Sequence, residues 1–275
     1  MTMNNGLHFI SGLPRSGSTL LAALLRQNPF LHAAMTSPAG SLVTGLLSQM
    51  SQANEGGVFI EDDQRLRVLR GVVDNYYADL HPHKLIIDTN RLWCSKMALL
   101  ATLWPKAKVI ACVRNPAWIL DSVERLTRRN ALQPSGIFKF DPGGTVYSRT
   151  EALLAGNGMI GYALHALREA VFDPHHDRLL LVRYDSLTAD PQGVLDQVYD
   201  FLGVPRFVHN PNDIEPDYDA MMFDARLGTP GLHVVGAKVH VNVRQSVLPP
   251  DLFQRHAEGA WWEQTDALPA AARMI

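Results

Sequence analysis

A chain of 275 residues, 47 % hydrophobic and 19 % charged, has room for one large domain, or at most two small ones, around a sizeable core. Its formal net charge of −2 gives no basis for non-specific nucleic-acid binding, so an anionic ligand has to be held by local cations. The two cysteines, Cys94 and Cys112, lack paired spacing and read as buried free thiols of a reducing compartment. The first residues carry neither a basic region nor a long apolar stretch, so no signal peptide or membrane span is expected and the cytoplasm is the expected location.

Residues 7–11 read as a short buried strand, closed by Gly12 and Pro14. Gly12 and Gly17 stand at the separation of a triphosphate-binding loop, G-x-x-x-x-G-K-[ST], and Thr19 fills its hydroxyl position. Ser18 takes the place of the lysine, and the cation has moved into the loop as Arg15. From Ser18 a helix with Leu20, Leu21, Leu24 and Leu25 on one face is expected to stop near Asn28 and Pro29. Helices are expected over 42–50 and 62–77, then a strand over 84–88 ending on Asp88. A helix over 94–103 leads to the strongest buried strand, 108–113, and Pro116 opens the next helix. Residues 130–145, with Pro134, Gly136, Pro142, Gly143 and Gly144, read as a long loop of the kind that is often functional. One long helix to Val171, a strand over 178–183 and a helix over 191–202 complete the pattern.

This alternation predicts an α/β fold with a central, mostly parallel sheet flanked by helices. One domain over 1–275 is expected, with 206–275 an irregular segment folded over the ligand site. The strand, glycine turn and helix start place backbone N–H groups and a positive helix end around an anion. Ser16, Ser18 and Thr19 add hydroxyls, and Arg15 adds a fork suited to tetrahedral oxyanions. Arg114 follows the strongest strand, at the carboxyl edge where such sheets bind ligands, and Ser122 lies about two helical turns further on. Alone, these two read as an ion-pair partner and an incidental helix serine; beside the loop they read as a clamp for a second phosphate.

The pairing of LPRSGST (13–19) with VRNP (113–116) and Ser122 resembles the sulfotransferases that use 3'-phosphoadenosine 5'-phosphosulfate (PAPS). The likeness spans roughly residues 7–205 and is closer to tyrosylprotein and bacterial members than to the cytosolic steroid and phenol enzymes. It implies a P-loop-like fold in which Arg15, Ser16, Gly17, Ser18 and Thr19 hold the 5'-phosphosulfate, while Arg114 and Ser122 hold the 3'-phosphate. Residues 182–205 resemble the family's tyrosine-acid-x-leucine segment, so Tyr184 is expected on the adenine side. Residues 232–239 loosely resemble the segment that closes over the nucleotide, making Lys238 a phosphate contact, with a solvated lysine as the competing reading. The implied reaction needs no metal, and its acceptor is a small molecule, sugar, lipid or peptide tyrosine. No nucleic-acid partner is expected, and a homodimer stays open.

The general base departs from the family's patterns. Where tyrosylprotein enzymes carry a glutamate, HAAMTSP (32–38) has no carboxylate; where cytosolic members carry a histidine, DTNR (88–91) has none. Asp88 is the first candidate for base, against a capping or salt-bridged acid; Arg91 is expected to stabilise the leaving oxygen, and His32 is the reserve base. The histidines at 81, 83, 175 and 176 read as solvated loops rather than metal ligands. Two rivals stand beside this reading. One is a P-loop kinase with 85–88 as its Walker B strand, against which Ser18 and the Arg114 and Ser122 pair argue; the other is a nucleotide-binding module without catalysis.

Overall fold

The computed structural model describes residues 6–80, 84–141, 143–241, 243–264, 267–270 and 272–275. Among them, strands β1 (Leu7–Gly12), β2 (Leu31–Ala33), β3 (Leu85–Thr89), β4 (Val109–Val113), β5 (Leu179–Arg183) and β6 (Arg273–Met274) form one sheet. Its order is β2-β3-β1-β4-β5-β6 and every neighbouring pair is parallel. The chain runs from β1 out to β2, returns to β3, and then crosses to β4 on the other side of β1. That reversal puts a topological switch point at the carboxyl end of β1, where open α/β sheets bind ligands.

Both faces of the sheet are buried, which is why the strands read as continuous apolar runs. Side chains alternate across it: Phe9, Val109, Ala111 and Leu181 face one core layer. Ile10, Ile110, Cys112 and Leu180 face the other. The first layer is built with helices α2 (Ala39–Gln49), α3 (Asp62–Tyr76), α4 (Met97–Leu103), α5 (Pro116–Arg129), α6 (Val146–Leu154) and α7 (Met159–Phe172). The second is built with α1 (Ser18–Leu25), α8 (Tyr184–Ala189) and α9 (Pro191–Leu202).

Several elements differ from the sequence expectation. The single long helix before β5 is two, α6 and α7, because Gly158 holds an extended conformation that caps α7, and a Cβ there would stand 2.2 Å from the Ala152 carbonyl. Residues 206–275 are not uniformly irregular. They contain α10 (Tyr218–Arg226), started by Asp217 accepting from the Ala220 N–H, and α11 (Pro250–Ala257), started by a proline in its first turn. They also supply β6 as the sheet edge. The loop over 130–145 contains a short 3-10 turn, Gly136–Phe138, and is tied to the tail by Gly136 N–H donating to the Leu227 carbonyl at 2.7 Å. His81 and His83 lie outside the described residues.

His8 makes the stability pH-dependent. It is 7 % exposed in β1, and its Nδ1 accepts from the Lys108 N–H at 3.1 Å. Burial, with Lys108 adding to it, pushes its pKa from 6.5 down to about 4. A depressed histidine contributes stability that is complete above pH 6.5 and is lost as pH falls towards 4. The expected loss is about 3 kcal/mol. Urea unfolding at both pH values, with His8→Asn as the flatter comparison, measures it.

Candidate active site

The loop after β1 is shaped by two glycines. Gly12 adopts φ 102°, and a Cβ on it would fall 2.3 Å from the Cys112 carbonyl oxygen, so the backbones of β1 and β4 can meet only here without a side chain. Gly17 caps α1 at φ 95°, where a Cβ would press to 3.0 Å on the Tyr184 ring. Between them Arg15 takes a left-handed φ of 58°, a sparsely populated conformation for a side-chain-bearing residue.

That conformation joins the loop to the second element. Arg15 Nε donates to Ser122 Oγ at 3.0 Å, and Arg114 Nη1 donates to the Arg15 carbonyl at 3.2 Å. The Arg114 guanidinium lies over the Tyr184 ring, 3.9 Å from its centre, and its Nε is buried without a hydrogen-bond partner. Tyr184 itself is the first residue of α8. Burial and then the neighbouring Arg114 charge push the Arg15 pKa down to about 10. Burial is also the main reason the Arg114 pKa lies below its ordinary value.

The loop, these cations and the tail enclose a cavity of about 310 Å³, a size suited to a small ligand. Arg15, Gly17, Ser18, Thr19, Arg91, Arg114, Tyr184 and Lys238 all line it. Arg91 is open to the water of the cleft yet ringed by protein, and this enclosure lowers its pKa.

Four expected residues are placed otherwise. Ser16 is fully buried, and its hydroxyl donates inward to the carbonyls of Leu13 and Cys112, so only its backbone can serve a ligand. Ser122 is 5 % exposed behind Arg15 and does not line the cavity. Asp88, expected as the base, is 1 % exposed and outside the lining; Ser37 and Tyr77 hydroxyls and Trp93 Nε1 all donate to its carboxylate. Burial holds its pKa above the ordinary range against those three bonds. His32 lies on β2 with its ring edge-on to Tyr77, also outside the lining. Burial lowers its pKa. Asp88→Ala would orphan three buried donors and is expected to cost about 3 kcal/mol in urea unfolding, whereas loss of a general base would lower transfer with little cost in stability.

The sequence reading missed three residues in the tail. Arg244 stands 2.7 Å from the fully buried Asp121 in ion-pair contact, without hydrogen-bond alignment, and its charge reaches Arg15 and Arg114. Asp121 is also held by Arg125 Nε at 3.0 Å and the Val247 N–H at 2.7 Å. His233 lines the cavity, with its Nδ1 2.6 Å from Oδ1 of the fully buried Asp224. His233 lies inside the 232–239 segment quoted above for Lys238 alone; the weak periodicity beyond Gly203 offered no further signal.

A model described as "Sulfotransferase family" matches residues 8–208, well over half of the chain. The chain belongs to the sulfotransferase family. Among solved structures, a sulfotransferase from Alicyclobacillus acidocaldarius aligns at 16 % identity and a TM-score of 0.50, covering 82 % of this chain and 93 % of that one. The sulfotransferase domain of the curacin biosynthetic pathway aligns at 20 % identity and a TM-score of 0.49, covering 74 % and 76 %. The sulfotransferase domain of the Synechococcus PCC 7002 olefin synthase aligns at 20 % and 0.46, covering 92 % and 94 %. At 16 % identity and a TM-score of 0.50, the Alicyclobacillus acidocaldarius structure speaks to the fold alone. No curated protein matches this sequence significantly. No helix among the described residues is long and apolar enough to cross a membrane, and they contain no cluster of three or more histidine, cysteine or acidic side chains suited to a metal ion.

Proposed function

We propose that this sulfotransferase takes its sulfuryl group from PAPS and delivers it to a hydroxyl or amine acceptor by in-line displacement. The observation that carries this reading is the junction of the two arginines, Arg15 Nε donating to Ser122 and Arg114 Nη1 to the Arg15 carbonyl, with Arg114 Nε buried and unpartnered. Two enclosed guanidinium groups, with the Arg114 charge lowering the proton affinity of Arg15, want a polyanion between them. A 3'-phosphate answers that need, and a nucleoside triphosphate has none to offer. Ser122 Oγ accepts from Arg15 Nε behind the cavity wall, so its part is to hold the guanidinium in place for such a phosphate.

The other roles follow from position. The N–H groups over 15–19 and the Ser18 and Thr19 hydroxyls sit at the start of α1, where helix and loop dipoles favour the 5'-phosphosulfate. The Tyr184 ring, backed by Arg114, offers a flat surface to the nucleoside side. Lys238 reaches the same cavity from the tail, and Arg244 strengthens the positive field around the 3'-phosphate. Arg91 enters from the end of β3 and is suited to stabilising the leaving oxygen or the equatorial sulfuryl oxygens. Two buried free thiols agree with work in a reducing, cytoplasmic setting.

Isothermal titration tests the donor. Adenosine 3',5'-bisphosphate (PAP) is expected to bind without Mg²⁺, and at least about 10-fold more tightly than ADP, one decade being 1.4 kcal/mol. Equal affinities, or a preference for Mg·ATP, would remove the reading.

A further inference from the structure

Transfer to a hydroxyl needs a base within hydrogen-bond reach of the acceptor. None of the described residues lining the cavity is an aspartate or glutamate. The lining histidines are His233 and His240. His240 is exposed, and its Nδ1 lies 3.3 Å from the Lys238 carbonyl of its own segment.

His233 is differently held. Its Nδ1 lies 2.6 Å from Asp224 Oδ1, and its backbone N–H donates to Asp224 Oδ2 at 2.7 Å. Asp224 is fully buried on α10, and the Phe223 ring meets the imidazole edge to face at 5.7 Å. A carboxylate accepting at Nδ1 fixes the tautomer in which Nε2 carries the lone pair.

We propose that His233 Nε2 is the general base of the transfer and that Asp224 is its positioning residue; this rests on the PAPS reading above. As the acceptor oxygen bonds to sulfur, the bond from sulfur to the 5'-phosphate oxygen breaks and its electron pair leaves with PAP. The acceptor proton passes to Nε2, and the imidazolium later yields it to water. The charged and titratable groups sharing the cavity are Arg15, Arg91, Arg114, Tyr184, Lys238 and His240. Four of these are cations that oppose an imidazolium, and the buried Asp224 charge at Nδ1 offsets them.

The full-length protein tests this with three readouts. His233→Gln is expected to lower transfer of ³⁵S from PAPS, to water and to simple phenols, by about 10²–10⁴-fold. The same variant should leave PAP affinity in calorimetry unchanged. Asp224→Asn should lower kcat with little change in KM, a split that a merely structural role would not produce. Long-range ¹H–¹⁵N spectra of the PAP complex should show His233 protonated at Nδ1 and bare at Nε2 at neutral pH. Unchanged transfer by His233→Gln, a loss of PAP affinity, or Nε2 protonated on PAP binding would each overturn the proposal, the last two by making His233 a phosphate ligand. If the unmodified protein binds no PAP, the donor reading fails first, and the calorimeter reports that before any variant is made.

Discussion

Replacing Arg114 by alanine is expected to weaken PAP binding about 100-fold while leaving ADP binding unchanged, as measured by titration calorimetry. Arg114 follows β4, lines the cavity, keeps its Nε buried without a partner, and is braced by the Tyr184 ring 3.9 Å away. Charge-assisted hydrogen bonds contribute about 1.5–3 kcal/mol each, so the loss of one or two corresponds to roughly two decades of affinity. Arg114→Lys should fall between, because an ammonium keeps the charge and loses both the fork and the ring contact. An equal loss for ADP would mean that Arg114 supports the loop through the Arg15 carbonyl and not the 3'-phosphate.

The second large effect belongs to the fold. Gly12→Ala is expected to cost more than about 4 kcal/mol, the range reserved for broken cores and strained backbones. The new Cβ would stand 2.3 Å and 2.5 Å from backbone atoms of Cys112 in the neighbouring strand, and alanine would also have to hold φ 102°. For a domain of this size such a loss lowers the thermal midpoint by roughly 10 °C or prevents folding. Gly45→Ala in α2 is the control: a Cβ there meets nothing within 4 Å, so it should be neutral or stabilising by about 0.5–1 kcal/mol. Calorimetric melting of the two variants separates a glycine that two strands require from one they do not.

Much of the fold could be read locally. The strands at 7–12, 85–89, 109–113 and 179–183 announced themselves because a parallel sheet buried on both faces leaves unbroken apolar runs. The helices α3, α5 and α9 announced themselves through amphipathic spacing, with prolines at the start of the latter two. What escaped was short or set by distant partners. The three residues of β2 carry too little pattern, and β6 exists only because Leu180 and Leu181 pair with Arg273 and Met274. The helix α10 starts from a side-chain cap at Asp217 inside a stretch of prolines and aspartates.

The site divides the same way. The residues of the loop, with Arg91, Arg114 and Tyr184, follow the carboxyl ends of β1, β3, β4 and β5, so chain order alone led them to one edge of the sheet. Asp88 also ends a strand, but side-chain direction decides its fate: it turns into the cluster of Ser37, Tyr77 and Trp93. His233 lines the cavity, with Asp224 behind it, and Arg244 meets Asp121, only when the tail folds back.

By itself, the sequence determined that a glycine loop with Arg15 in it, and Ser18 where a lysine would stand, closes the first strand of a parallel sheet. These are local matters of spacing, φ preference and side-chain type. Only the tertiary structure decided which hydroxyls turn inward, which carboxylate is sealed away, and which histidine meets a buried acid beside the loop. Those outcomes depend on contacts between segments up to two hundred residues apart, where burial and partner geometry set the chemistry of a side chain and neighbouring letters do not.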